Sequence, residues 1–266
     1  MTSKKEQSLT NAIRKRLTGA PRAVADWLLR DAEVKHLQDY ANTVSIKRLG
    51  FNDHGPVHMR TVVLNALIML ELLRNAGVQL SLEKEEVGTF DDSTAAILIA
   101  CMLHDIGMSI GRELHERNAI ALARPIIDRL LQDVYGGQLQ RQIIIRSLAL
   151  ECMLGHMATQ RIHSLEAGIV LIADGCDMER GRARIPMLLT TESRVGDIHK
   201  YSSAAIREVA ITKGTKRPIR ITVTMTDTVG FFQIEEVLFK KIERSTIKPY
   251  VELYAGVAPD GMKCYL

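Results

Sequence analysis

The chain has 266 residues with 46% hydrophobic content, enough for one large domain or a main domain with a small appendix. A net charge of +4 permits anionic partners without requiring nucleic acid. Aromatics are only 5%, with no basic run interleaved among them, so no stacking platform for bases is visible and nucleic acid is not indicated. Cys101, Cys152, Cys176 and Cys264 form no C-x-x-C pair and are expected as reduced thiols of a cytoplasmic protein.

Residues 1–16 are polar and charged, read as a helical or frayed arm and not as a signal peptide. Residues 21–40 have helical character: Pro21 suits a first turn, and Val24, Trp27, Leu28 and Leu37 share an inward stripe, with Trp27 as a core anchor. Asn52-Asp53-His54-Gly55-Pro56-Val57-His58 then opens a helix that runs through Val62, Leu67, Leu70 and Leu73 and stops near Gly77. His58 falls on the buried face of its first turn, and His54 lies just before it. Residues 78–92 are polar, without a sustained apolar stripe, and are expected to form a loop.

Residues 95–107 are an almost unbroken apolar run ending in His104-Asp105-Ile106-Gly107. The run is too short for a membrane span and reads as a buried helix. Burying a histidine and an aspartate at its end is costly unless something compensates. A cation would, by keeping Asp105 ionised and using the lone pair of neutral His104; a plain His–Asp hydrogen bond is the alternative.

His115 sits near the start of the next helix, where capping is the alternative role. A helix over 138–154 ends at Gly155, with His156 directly after it, a place where histidine can also answer the helix dipole. Ser164 can cap an apolar helix ending in Asp174, which needs either a metal or an arginine partner. Residues 197–211 are expected as a further helix. Beyond Lys213-Gly214, residues 219–226 alternate as a half-buried strand, 232–244 return to helical spacing and 251–255 alternate again, giving a β-α-β segment.

His58, His104-Asp105 and Asp174 come in the order H…HD…D, each at the end of an apolar helix or in the first turn of one. This ordered set resembles the HD-domain superfamily of metal-dependent phosphohydrolases, over residues from about Asn52 to Arg184. The resemblance implies an HD-domain helical bundle, taken at 51–214; with the polar N-terminal arm at 1–50 and a small C-terminal α+β domain at 215–266 read from the residue pattern, the expected fold is mainly α. The resemblance also implies a dinuclear site, with His115 and His156 as the two further histidines and Asp105 bridging. His163 competes with His156 for the second of these positions. Met108 departs from subfamilies such as the HD-GYP proteins, which carry lysine there, and no Gly-Tyr-Pro follows His156, so their cyclic-dinucleotide activity is not supported.

Histidine and aspartate ligation suits two divalent transition metals among Mn, Fe, Co, Ni and Zn. The implied function is hydrolysis of a phosphoester of a nucleotide or small phosphorylated compound by metal-activated water. Arg182, Arg184 and Lys200, along with Arg112, are candidates to hold the phosphate, and His54 to act near the reacting oxygen. A di-iron oxygenase and a regulatory ligand-binding HD protein are the alternatives. A sheet of two strands is marginal in water, so a homodimer is expected to complete it, with a strand from residues 185–189 as the intramolecular rival.

Overall fold

A computed structural model describes residues 3–178, 198–257 and 261–266. The fold is mainly helical. Helix α1 (Lys4–Lys15) opens with a capping box between Ser3 and Glu6 and packs on α4. The helical stretch expected at 21–40 is two helices, α2 (Gly19–Arg30) and α3 (Ala32–Thr43). They part at Asp31, whose carboxylate accepts the Val34 N–H and so starts a new helix. Trp27 is only partly buried, its indole N–H reaching Asp133 at 2.7 Å.

Helix α4 (Pro56–Asn75) begins at Gly55-Pro56 and buries Met59, Val62, Val63, Ala66, Leu70 and Leu73. By length and composition alone it could cross a membrane, but 56% of that stretch is buried inside the bundle. The polar stretch at 78–92 is not all loop. Leu80 and Leu82 are buried around a short helix α5 (Ser81–Lys84), and the Thr89–Asp92 capping box starts α6 (Phe90–Leu103) ahead of its apolar run. The start of α6 was hidden because its cap residues, Thr89 and Asp92, are themselves polar, and α5 is too short to show a stripe.

Helix α6 is central, buried on all sides by α2, α4, α8 and α9. Helices α7 (His115–Tyr135), α8 (Leu139–Gly155) and α9 (Leu165–Gly175) complete the bundle.

The helix expected over 197–211 is corrected. Only α10 (Ile198–Ala204) is helical, and β1 (Ile206–Lys213) follows as a strand. The cause is non-local: β2 (Ile219–Met225) needs a partner on this side, and β1 pairs with it antiparallel, Val209 opposite Val223. A continuous helical path (residues 231–244) then crosses over, and β3 (Val251–Val257) joins β2 in parallel. We call this crossover helix α11. A short β4 (Lys263–Cys264) pairs antiparallel with β3, so the described residues form a four-stranded mixed sheet in the order β1-β2-β3-β4.

Ile219, Ile221, Val223 and Met225 point to the buried face while Arg220, Thr222 and Thr224 are half-exposed, as the alternation implied. The strands that a partner copy was expected to supply come from the same chain, so the sheet gives no argument for a homodimer. The alternative strand at 185–189 lies outside the described residues. Buried residues of the sheet and of the helices form one continuous hydrophobic cluster. All four cysteines are free.

Candidate metal centre

Local chain geometry sets each side chain in place. His58 lies in the first turn of α4, fixed by the Gly55-Pro56 start. His104 caps the end of α6, and Asp105 opens the tight turn Ile106–Ser109. A Cβ on Gly107 would lie 2.0 Å from the carbonyl oxygen of His115, so only glycine lets the start of α7 come down beside Asp105. Leu114, in left-handed backbone at φ 51°, turns the chain into α7 with His115 first. His156 follows the last residue of α8, and Asp174 sits in the last turn of α9, whose start Ser164 caps.

These six side chains converge in the middle of the bundle, none more than 8% exposed. Around one point, His58 Nε2 lies 3.3 Å from His104 Nε2, 3.2 Å from Asp105 Oδ2 and 3.3 Å from Asp174 Oδ1. Around a second, His115 Nε2 lies 3.1 Å from His156 Nε2, and the two are 3.3 and 3.4 Å from the other oxygen of Asp105. Asp105 therefore faces both groups, one oxygen to each.

The opposite ring nitrogens decide the chemistry. His58 Nδ1 donates to Asp177 at 2.6 Å, and the Nδ1 atoms of His104, His115 and His156 donate to the carbonyls of Cys101, Arg112 and Met153 at 3.0, 2.9 and 2.6 Å. These acceptors assign the N–H to Nδ1 in every ring and leave the Nε2 lone pairs aimed inward. Lone pairs facing one another and facing carboxylate oxygens repel unless a positive charge lies between them. The buried histidines and aspartates therefore could hold a metal ion, and the donor set fits one.

At His104 a proton can supply that charge when no metal does. Burial by itself would push His104 down, but Asp105 and Asp174 outweigh it and raise the imidazole to about 9. Burial would likewise raise both carboxyls, yet His104 and His54 hold Asp105, and Lys241 and His104 hold Asp174, well below the usual carboxylate range. His156 is lowered, chiefly by burial. A proton on His104 and a metal ion compete for the same lone pair.

An uncharacterized protein of Methanocaldococcus jannaschii, MJ1020, is 36% identical over 241 residues, covering 91% of each chain. The present chain belongs to its family. No family model and no solved structure matches the chain. The name of that family member states no activity, so the chemistry rests on the residues of the site.

Of the remaining expected residues, His54 lines the cavity over the centre, 5.7 Å from His58 between ring centroids, with Nδ1 donating to the Asn52 carbonyl at 2.6 Å. Arg112 lines the same cavity, its guanidinium 5.6 Å from the Phe51 ring. Arg182 and Arg184 lie outside the described residues, and Lys200 lies on α10. His163 is not in the cluster; its N–H donates to Glu151.

Two residues escaped the sequence reading. Asp177 orients His58, and its spacing of three from Asp174 was the available signal. Lys241, on α11, pairs with Asp174 Oδ2 and donates to the His156 carbonyl at 2.9 Å. No spacing in the sequence links it to residues so far back. The salt bridge weighed for Asp174 thus exists, with lysine in place of arginine.

Proposed function

We propose that the chain is a metal-dependent phosphohydrolase of the HD-domain superfamily, cleaving a phosphoester of a nucleotide or small phosphorylated compound. The observation that supports it is Asp105: one carboxylate whose two oxygens face two adjoining pairs of histidines, His58 with His104 and His115 with His156, a donor arrangement that suits a dinuclear centre. His58, His104 and Asp174 would hold one divalent ion, His115 and His156 the other, with Asp105 shared. Mn, Fe, Co, Ni and Zn suit these donors. Such ions supply a water acidified to near neutrality and a counter-charge for the phosphate oxygens.

The chain's own residues do the rest. Carbonyls and Asp177 fix the imidazole orientations, so no reorganisation is needed when substrate arrives. His54, in the cavity wall beside His58, is placed to exchange a proton with the attacking or leaving oxygen. Arg112 supplies positive charge at the wall, and Arg182, Arg184 and Lys200 remain candidate phosphate contacts. A cavity of about 870 Å³ leaves room for a leaving group well beyond the phosphate itself.

The test is metal analysis of protein purified without added metal, then a panel of phosphomonoesters and phosphodiesters. A chelator should abolish turnover, and Mn, Co or Ni should restore it. Dioxygen uptake by the iron form, with every phosphoester left intact, would overturn the hydrolase reading in favour of oxygenation.

A further inference from the structure

Helix α11 belongs to the C-terminal β-α-β segment, outside the stretch that carries the metal-type ligands, yet it reaches the centre at two levels. Lys241 is 11% exposed and Asp174 9% at the side chain, so their ion pair is screened little by water. Its ammonium spans both halves of the cluster, touching the Asp174 carboxylate on one side and the His156 carbonyl on the other. One turn on, Arg244 donates to the carbonyl of Ala158. Ala158 is in left-handed backbone at φ 59°, a conformation that strains a non-glycine residue and persists only where neighbours hold it. So Lys241 and Arg244 hold two carbonyls, those of His156 and Ala158, in the turn that presents His156.

The seat for these contacts is built into α9. Ser245 donates to the Gly168 carbonyl at 3.0 Å and Thr246 to the Ser164 carbonyl at 2.7 Å. A Cβ on Gly168 would lie 2.2 Å from the Thr246 hydroxyl, so the end of α11 lies against the α9 backbone itself. The register of α11 on α9 is thereby fixed, and with it the reach of Lys241 to Asp174.

We propose that Lys241 is a positioning residue for the metal centre. From the C-terminal helix it holds a ligand of each group, Asp174 by its carboxylate and His156 through its turn. The inference rests on the metal centre proposed above and is independent of the substrate. Two of the three ammonium protons are committed to these contacts. The ion pair sets Asp174 with Oδ2 engaged and Oδ1 turned to His58 and His104, the orientation a metal ligand needs. A merely structural ion pair would contribute to stability and leave metal affinity alone.

The test is a titration of the full-length, metal-stripped chain with cobalt(II), read by visible absorbance and by stoichiometry, with circular dichroism confirming the fold. Lys241→Met should bind cobalt about 10–100-fold more weakly than wild type, the range typical for loss of a group that orients a ligand. Lys241→Arg, which keeps the charge and the donors, should recover part of that loss. Arg244→Met should weaken only the ion held by His115 and His156. If Lys241→Met does not fold, Lys241→Gln takes its place: it keeps a donor for the His156 carbonyl but no charge for Asp174, and at least tenfold weaker binding is expected. Wild-type affinity and an unchanged cobalt spectrum in the folded variant would overturn the proposal. A wild-type chain that takes up no cobalt would overturn the metal centre and the proposal together, whereas metal uptake without phosphoester hydrolysis would overturn the hydrolase reading alone.

Discussion

Asp105 is the residue on which both groups of nitrogens depend, because each of its oxygens faces a different one. With the dinuclear centre proposed above, Asp105→Ala should strip both ions, while His115→Ala or His156→Ala should leave about one per chain, measured by elemental analysis after gel filtration. The histidine beside it sets the pH dependence. His104 is raised to about 9, so at pH 7 it carries a proton that a metal must displace. Affinity should fall as pH drops below about 9, up to about tenfold per unit for one displaced proton, and calorimetry in buffers of differing ionisation heat should record proton release. Binding that releases no proton at pH 7 would refute this assignment. His104, Asp105 and Asp174 were legible as candidate ligands because each ends an apolar helix, where burial without a partner is costly, whereas His115 and His156 entered through the family resemblance. Lys241 was not, since a lysine on an amphipathic helix looks the same whether it meets water or Asp174.

At the scale of elements, long apolar helices could be read and short-range alternation could be read, but the strand β1 could not. Its sequence, Ile206-Arg207-Glu208-Val209-Ala210-Ile211, satisfies either period over so few residues, and pairing with β2 decided it. The joint between β1 and β2 is secured by Glu252 on β3. Its carboxylate accepts the backbone N–H groups of Lys216 and Arg217 and, at 2.9 Å, the Arg220 guanidinium. Burial would raise this carboxyl, but those donors bring it down from 4.5 to about 2. Because the folded value is depressed, the stabilisation is complete above about pH 4.5 and is lost as pH falls toward 2. Glu252→Gln puts an amide NH2 where Arg220 or the Lys216 and Arg217 N–H groups need an acceptor and should cost about 1–3 kcal/mol in urea unfolding at pH 7. The gap between variant and wild type should narrow at pH 3. A gap that stays constant across that range would show that the charge of Glu252 is not what holds the joint.

For the whole molecule, the sequence suggested a helical bundle that ends near residue 214 and a separate small domain after it. Composition changes there from helical to alternating spacing, and a change of period is the usual mark of a boundary. Burial does not change with it. Ile206, Ile219, Ile221, Val223, Val251 and Leu253 are fully buried in the same cluster as the helix residues Met59, Val62, Ile97 and Ile169. Removing residues 215–266 would strip β2, α11 and β3 from that cluster and leave β1 without a partner strand. Apolar surface uncovered on this scale destabilises a domain by about 25 cal/mol per Å², against a total stability of only about 5–15 kcal/mol. The same deletion removes Lys241 and Arg244 from the turn of His156 and from Asp174. A chain ending at Gly214 should consequently aggregate or expose apolar dye-binding surface. Any soluble fraction should hold metal far more weakly than the full chain, read by equilibrium dialysis against zinc. An autonomous bundle would behave otherwise: soluble, cooperative in thermal unfolding and loaded with metal to the wild-type stoichiometry. That result would make the C-terminal segment an appendage, and the role assigned to α11 would fall with it.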